Sequence, residues 1–131
     1  MNTPPPELHT LDNGIRIVTE CLIGAQSLVI NFRFTFGAKD DPEDRLGMAS
    51  IAEDVLFKGP PAKNARAIFD TFDTLGIRRG SSTAVEYTSF QAQLLPRHFG
   101  DALALYAELF RSASFPDDQV EISKLVTLEE L

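Results

Sequence analysis

Gly47-Met48-Ala49-Ser50-Ile51-Ala52-Glu53-Asp54-Val55-Leu56-Phe57-Lys58-Gly59 is the stretch on which the reading of this chain turns. Its apolar residues Met48, Ile51, Ala52 and Val55 recur at helical spacing and predict a helix over residues 45–58 that packs on a sheet. Ser50, Glu53, Asp54 and Phe57 then fall on a neighbouring face. Gly59-Pro60-Pro61 is a sharp stop, because proline has no amide hydrogen to give a helix. Positions i and i+4 of a helix project side by side, with i+3 beside them. Ligating side chains at that spacing can grip one ion. Ser50, Glu53 and Asp54, a hydroxyl and two carboxylates, stand at i, i+3 and i+4 of this helix.

Working outward, the chain reads as an ordered α+β pattern. Asp12-Asn13-Gly14 is a turn signal that joins strands over residues 7–11 and 15–19 into a hairpin. Residues 28–36 alternate, with Leu28, Ile30, Phe32, Phe34 and Phe36 on one face and Asn31, Arg33 and Thr35 on the other, the pattern of a half-buried strand. The acidic, proline-bearing run over residues 40–44 reads as a solvated loop before the central helix. A second helix starts near Asn64 as N-cap, carries Ile68, Phe69, Phe72 and Leu75, and stops at Gly76. Strands are expected over residues 77–83 and 85–95, the latter with Thr88, Phe90, Ala92 and Leu94 opposite Tyr87, Ser89, Gln91, Gln93 and Leu95. Two last helices run over residues 97–112 and from Asp117 onward, divided by Ser114-Phe115-Pro116. The whole predicts an antiparallel or mixed sheet with helices packed on one face. The final helix bears Val120, Leu125 and Leu128 and reaches Leu131 without a glycine or polar cap. Residues 1–131 are therefore expected to be a single module truncated from a longer chain.

Bulk properties narrow the function classes. With 131 residues, 44% hydrophobic and 24% charged, the chain suits one domain with one core. Its 12 basic residues against 19 acidic ones give a net charge of −7 and leave no basic block, which argues against a nucleic-acid surface. No apolar run approaches the roughly 20 residues of a membrane helix, and the Met1-Asn2-Thr3-Pro4-Pro5-Pro6 start has no signal-peptide pattern. A cytoplasmic setting is the expectation. Cys21 is the sole cysteine, so neither an internal disulfide nor a cysteine zinc site can form.

The central stretch resembles the active-site helix of the inverted zinc-motif metallopeptidases, the pitrilysin, insulysin and mitochondrial processing peptidase family. That helix reads Gly-Leu-Ala-His-x-x-Glu-His-x-Leu-Phe-Lys-Gly. Further segments agree in order: Leu11-Asp12-Asn13-Gly14-Ile15 with the opening hairpin, and Gly37-Ala38-Lys39-Asp40-Asp41-Pro42-Glu43 with the loop before the zinc helix. Tyr87-Thr88-Ser89-Phe90 and Phe115-Pro116-Asp117 match as well, so the resemblance spans nearly the whole chain. It implies the first module of a two-part clamshell built from repeated α+β units.

Carried over residue by residue, the resemblance puts Glu53 at the general-base position and Ser50 and Asp54 at the two histidine positions. Glu130, in Val126-Thr127-Leu128-Glu129-Glu130-Leu131, falls at the third metal ligand, at about the family's separation. A supporting glutamate one helical repeat upstream would fall at Ser123. Serine is not a usual zinc ligand, and groups around a site orient the ligands themselves, so Ser50, Asp54 and Ser123 all point to a degenerate site with no metal expected. Gly80, Ser81, Ser82 and Thr83 correspond to the strand beside the cleft, where a polypeptide substrate could add as an extra strand.

The resemblance thus implies a non-catalytic subunit or domain that helps enclose polypeptide and pairs with a competent relative as a hetero- or homodimer. Paired active and inactive subunits are a known arrangement in the family. The alternative is an active metal-dependent endopeptidase, with Glu53 activating water on an ion held by Asp54, Glu130 and a further ligand. Such a carboxylate site would favour manganese or magnesium over zinc. His9 and His98, the only histidines, lie at neither ligand position and read as surface or capping residues. Ser50 lacks a Gly-x-Ser-x-Gly setting or a nearby base, which removes a nucleophile role.

Overall fold

Asn13 and Gly14 close the first hairpin as their chemistry demands. Gly14 sits at φ 87°, and the Asn13 side-chain oxygen accepts from the Ile15 amide at 3.1 Å. The resulting strands, β1 (Glu7–Thr10) and β2 (Arg16–Thr19), pair antiparallel as a two-stranded ribbon. These features come from a computed structural model, which describes residues 3–58 and 65–129.

The main sheet contains β3 (Leu28–Phe34), β4 (Arg78–Thr83) and β5 (Thr88–Leu94) in the order β3-β5-β4, antiparallel throughout. The alternation read in the sequence sorts the two faces. Phe90, Ala92 and Leu94 of β5 are buried, while Gln91 and Gln93 between them are exposed. Among the described residues, four α-helices complete the fold: α1 (Met48–Leu56), α2 (Ala65–Thr74), α3 (Phe99–Arg111) and α4 (Asp117–Glu129). The α+β class, with helices against one sheet face, is as the sequence implied.

The core is aromatic. Tyr106 and Phe110 of α3 meet Phe32 of β3 with ring centroids 4.8 and 5.2 Å away, and Phe57 meets Phe90 at 5.6 Å and Phe72 of α2 at 6.0 Å. Edge-on and tilted geometry places the positive ring edge near a neighbour's negative face, adding to area burial. The Tyr106 hydroxyl donates to the Gln91 carbonyl at 3.3 Å, so the one polar atom of this buried ring is satisfied. Arg79 of β4 lays its guanidinium 4.3 Å from the Phe69 ring centre.

Several expectations are corrected in detail. The central helix starts at Met48 rather than residue 45, because Gly47 adopts φ 90° and cannot continue a right-handed helix backward. Phe57 is not on the polar face: just past the helix end, it is 4% exposed and belongs to the core, whereas Met48 is exposed. Buried Ala49, Val55 and Leu56 mark the packed side. The acidic run is more than a solvated loop. Ala38–Asp40 forms a 3-10 turn, and the Asp41 carboxylate accepts from the amides of Gly47 at 2.7 Å and Ala49 at 2.8 Å. An acid thereby satisfies free amides at a helix start. In α4, Leu125 and Leu128 face outward and Ser123 is the buried residue, the reverse of a helix docked by its apolar stripe. The Gly59-Pro60-Pro61 stop and the Asn64 cap lie outside the described residues.

Candidate functional site

Helix α1 packs against both α4 and the edge strand β4, and these three elements bring together the residues singled out above. Ser50 is exposed near the start of α1. One turn on, Glu53 reaches toward β4, where its Oε2 accepts from the Thr83 hydroxyl at 2.6 Å. Asp54 turns the other way. Its carboxylate pairs with the Lys58 ammonium at 3.0 Å and accepts a hydrogen bond from Ser123 of α4. Partial burial pushes the Asp54 carboxyl up, but the bonds from Ser123 and Lys58, with the lysine's charge, outweigh it and hold the group below its ordinary value.

Gly80, Ser81, Ser82 and Thr83 all lie on β4, which pairs with β5 and, among the described residues, with no strand on its other side. Ser82 and Ser89 share a hydroxyl hydrogen bond at 3.0 Å across that pair. Beside Glu53 opens a groove of about 170 Å³ whose walls include Phe34, Phe36, Leu56, Phe90, Phe110 and Phe115, with Thr88 the other polar lining residue. Glu130 lies outside the described residues. His9 lies 3.4 Å from Glu7, and His98 contacts Arg97 and Asp101, so both histidines engage local surface partners away from α1.

Zinc takes imidazole, thiolate and carboxylate donors in a convergent set, usually of four. Ser50 offers a neutral hydroxyl, Glu53 is held by Thr83, and Asp54 is held by Lys58 and Ser123. Among the described residues, no three of His, Cys, Asp and Glu converge on a point that could hold an ion. The residues present at these places do not fit a zinc site.

Sequence reading missed the side-chain partners of these residues. Thr83 was legible only as part of an edge strand, and its bond to Glu53 links residues 30 apart. The Asp54 to Lys58 spacing was a readable signal, since an acid four residues before a base on a helix is a favourable pair. Nothing local pointed to Ser123 as a donor to Asp54.

The fold, a three-stranded antiparallel sheet with helices packed against it, defines an α+β module of the peptidase type. Residues 16–131 match the sequence model for the insulinase family of peptidases, peptidase family M16, and the chain belongs to that family. Among relatives, it is 31% identical over 123 residues to the uncharacterized zinc protease YmxG of Bacillus subtilis, covering 94% of this chain and 30% of that one. It is 24% identical over 131 residues to a probable mitochondrial-processing peptidase subunit beta of Arabidopsis thaliana, covering 100% of this chain and 25% of the relative. A crystal structure of a peptidase M16 inactive domain from Pseudomonas fluorescens superposes with a TM-score of 0.78 at 20% identity, covering 88% of this chain and 28% of that one. The chain thus spans less than a third of the length of each of these proteins. No helix among the described residues is long and apolar enough to cross a membrane.

Proposed function

We propose that this chain is the first module of a non-catalytic insulinase-family protein, one that holds extended polypeptide and works beside a catalytically competent relative. What supports this reading is that Ser50 and Asp54 stand where the family resemblance puts the two histidines, together with the contacts these residues make. Asp54 is bound to Lys58 and Ser123, and Ser50 brings only a hydroxyl. The carboxylate of Glu53, the residue at the general-base position in this reading, accepts from Thr83. Catalysis by this family's chemistry needs the ion to polarise the carbonyl and lower the water's pKa, so losing the ligands removes the reaction and leaves the scaffold.

What remains suits binding. The outer edge of β4 offers backbone donors and acceptors to an extended chain, the mode by which peptides add to a sheet. Gly80, Ser81, Ser82 and Thr83 are small enough not to obstruct that approach. The Arabidopsis relative is named as a subunit, and the Pseudomonas neighbour is described as an inactive domain. The first name fits a protein that works as one subunit among others, and the second a member that keeps the fold without activity.

The test uses the purified full-length protein with a quenched peptide library, alone and mixed with a His-x-x-Glu-His relative from the same organism. The expected result is peptide binding without cleavage by the protein alone, and a change in the relative's turnover on mixing. Chelator-sensitive cleavage by the protein alone, abolished in Glu53→Gln, would overturn the reading.

A further inference from the structure

Strand β4 pairs along one edge with β5, and its other edge is open among the described residues. The turn that follows it fixes which residues direct their backbone groups outward. The Ala84 amide donates to the Tyr87 carbonyl at 2.8 Å, so these two form a hydrogen-bonded pair next to the Thr83–Thr88 pair. Bonded and non-bonded pairs alternate along an antiparallel ladder. Ser82, Gly80 and Arg78 therefore direct their amides and carbonyls to β5, while Thr83, Ser81 and Arg79 aim theirs at the open edge. The same three residues stand opposite Thr88, Phe90 and Ala92, which are buried beneath the helices. Residues directly opposite share a sheet face, so the side chains of Thr83, Ser81 and Arg79 lie on the helix-covered side.

That side of the open edge carries opposite charges at its two ends. The Arg79 guanidinium lies 4.3 Å from the Phe69 ring centre, and no carboxylate is within ion-pair distance of it among the described residues. At the far end Thr83 donates to Oε2 of Glu53, which sets a carboxylate beside the last outward-turned residue. We propose that this edge selects its polypeptide by charge order, an inference that rests on reading β4 as a polypeptide-binding edge. A segment added in the antiparallel sense of the sheet carries Lys or Arg opposite Thr83, where the cation reaches Glu53. Four residues later it carries Asp or Glu opposite Arg79, forming a cross-strand ion pair. The residue midway between them faces Ser81, which is small and exposed and admits most side chains. Four strand steps separate the two charges by about 13 Å, beyond the screening length of about 8 Å at physiological salt. Each end is therefore read nearly independently of the other.

Fluorescence anisotropy of the full-length protein with dye-labelled, end-capped peptides tests it. The peptides are Thr-Lys-Thr-Val-Thr-Glu-Thr, its reverse Thr-Glu-Thr-Val-Thr-Lys-Thr, and a neutral form with Gln at both charged places. The Lys-before-Glu peptide should bind roughly three- to tenfold more tightly than the reverse, with the margin shrinking in high salt. Glu53→Gln should erase the contribution of the peptide's lysine alone, and Arg79→Gln that of its glutamate alone. If Arg79→Gln does not fold, peptides with a single charge, measured on wild type, separate the two ends instead. Equal binding of the two orders, or tighter binding of the reverse, would overturn the charge order while leaving polypeptide binding intact. No binding of any peptide, the neutral one included, would overturn both readings.

Discussion

Thr83 donates its hydroxyl to the Glu53 carboxylate across 2.6 Å, tying the middle of helix α1 to the end of edge strand β4. The acid proposed for the general-base position is thereby engaged by the strand along which polypeptide is proposed to add. Replacing Thr83 by valine keeps the shape and deletes the donor. A hydrogen bond to a charged acceptor contributes about 1.5–3 kcal/mol, and partial exposure puts this one toward the low end. Thr83→Val should lower stability by about 1.5 kcal/mol in denaturant titration, and Thr83→Ser should recover most of it. Equal midpoints for Thr83→Val and wild type would show that the tether contributes nothing.

Asp41 serves the start of α1 from outside the helix, accepting from both Gly47 and Ala49. Removing a capping acid typically costs about 1 kcal/mol, and a neutral amide can still accept. Asp41→Ala is expected to lower the thermal midpoint followed by circular dichroism, while Asp41→Asn should lose less. Gly47 and Ala49 use different carboxylate oxygens, so similar losses for the two variants would mean that the single acceptor oxygen of asparagine does not hold the helix start.

Gly37 permits the close approach of the loop before α1 to the β4–β5 turn. A Cβ added there would lie 2.6 Å from the Ala84 oxygen, the Tyr87 nitrogen and the Val85 oxygen, all of them backbone atoms. These cannot rotate away as a side chain could. Gly37→Ala should therefore destabilise by about 3 kcal/mol, at the upper end of ordinary overpacking. It should also disturb the neighbouring Ala38 to Ala84 and Lys39 to Val85 hydrogen bonds. A near-neutral variant would contradict this packing.

Asp54 gives a pH dependence with a definite sign. Its carboxyl is held below the ordinary 3.8, with burial opposing and the Ser123 and Lys58 interactions prevailing. A group whose folded pKa is depressed contributes stability that is fully present above the unfolded value. That stability is lost as pH falls through the folded value. The stability gap between wild type and Asp54→Asn should thus be constant from pH 7 to about 5 and shrink below pH 4. A gap that widened on acidification would reverse the assignment.

The elements were largely legible in the sequence because each was written in local chemistry. Asn13-Gly14 fixed a hairpin, alternation in residues 88–94 sorted the two faces of β5, and Ile68 and Phe72 marked the packed stripe of α2. The family, too, was legible, since several segments agree with its pattern in the right order along the chain. Less visible was where helices begin and which residues dock them. Gly47 delays α1 through its positive φ, and Asp41 reaches over several residues to cap it. Phe57 was placed on the wrong face because the helix ends before it, and a residue past the last turn no longer follows the helical period.

The sequence by itself determined the fold class, the family and the identities of Ser50, Glu53 and Asp54, because these follow from period, turn chemistry and residue type along the chain. Only the tertiary structure decided what Glu53 and Asp54 do now. Thr83 and Ser123 come from elements distant in sequence, and their hydroxyls reach the two carboxylates only once α1 has packed between β4 and α4. A hydrogen bond needs its partners within about 3 Å and well aligned, and no spacing along the chain can guarantee that between separate elements.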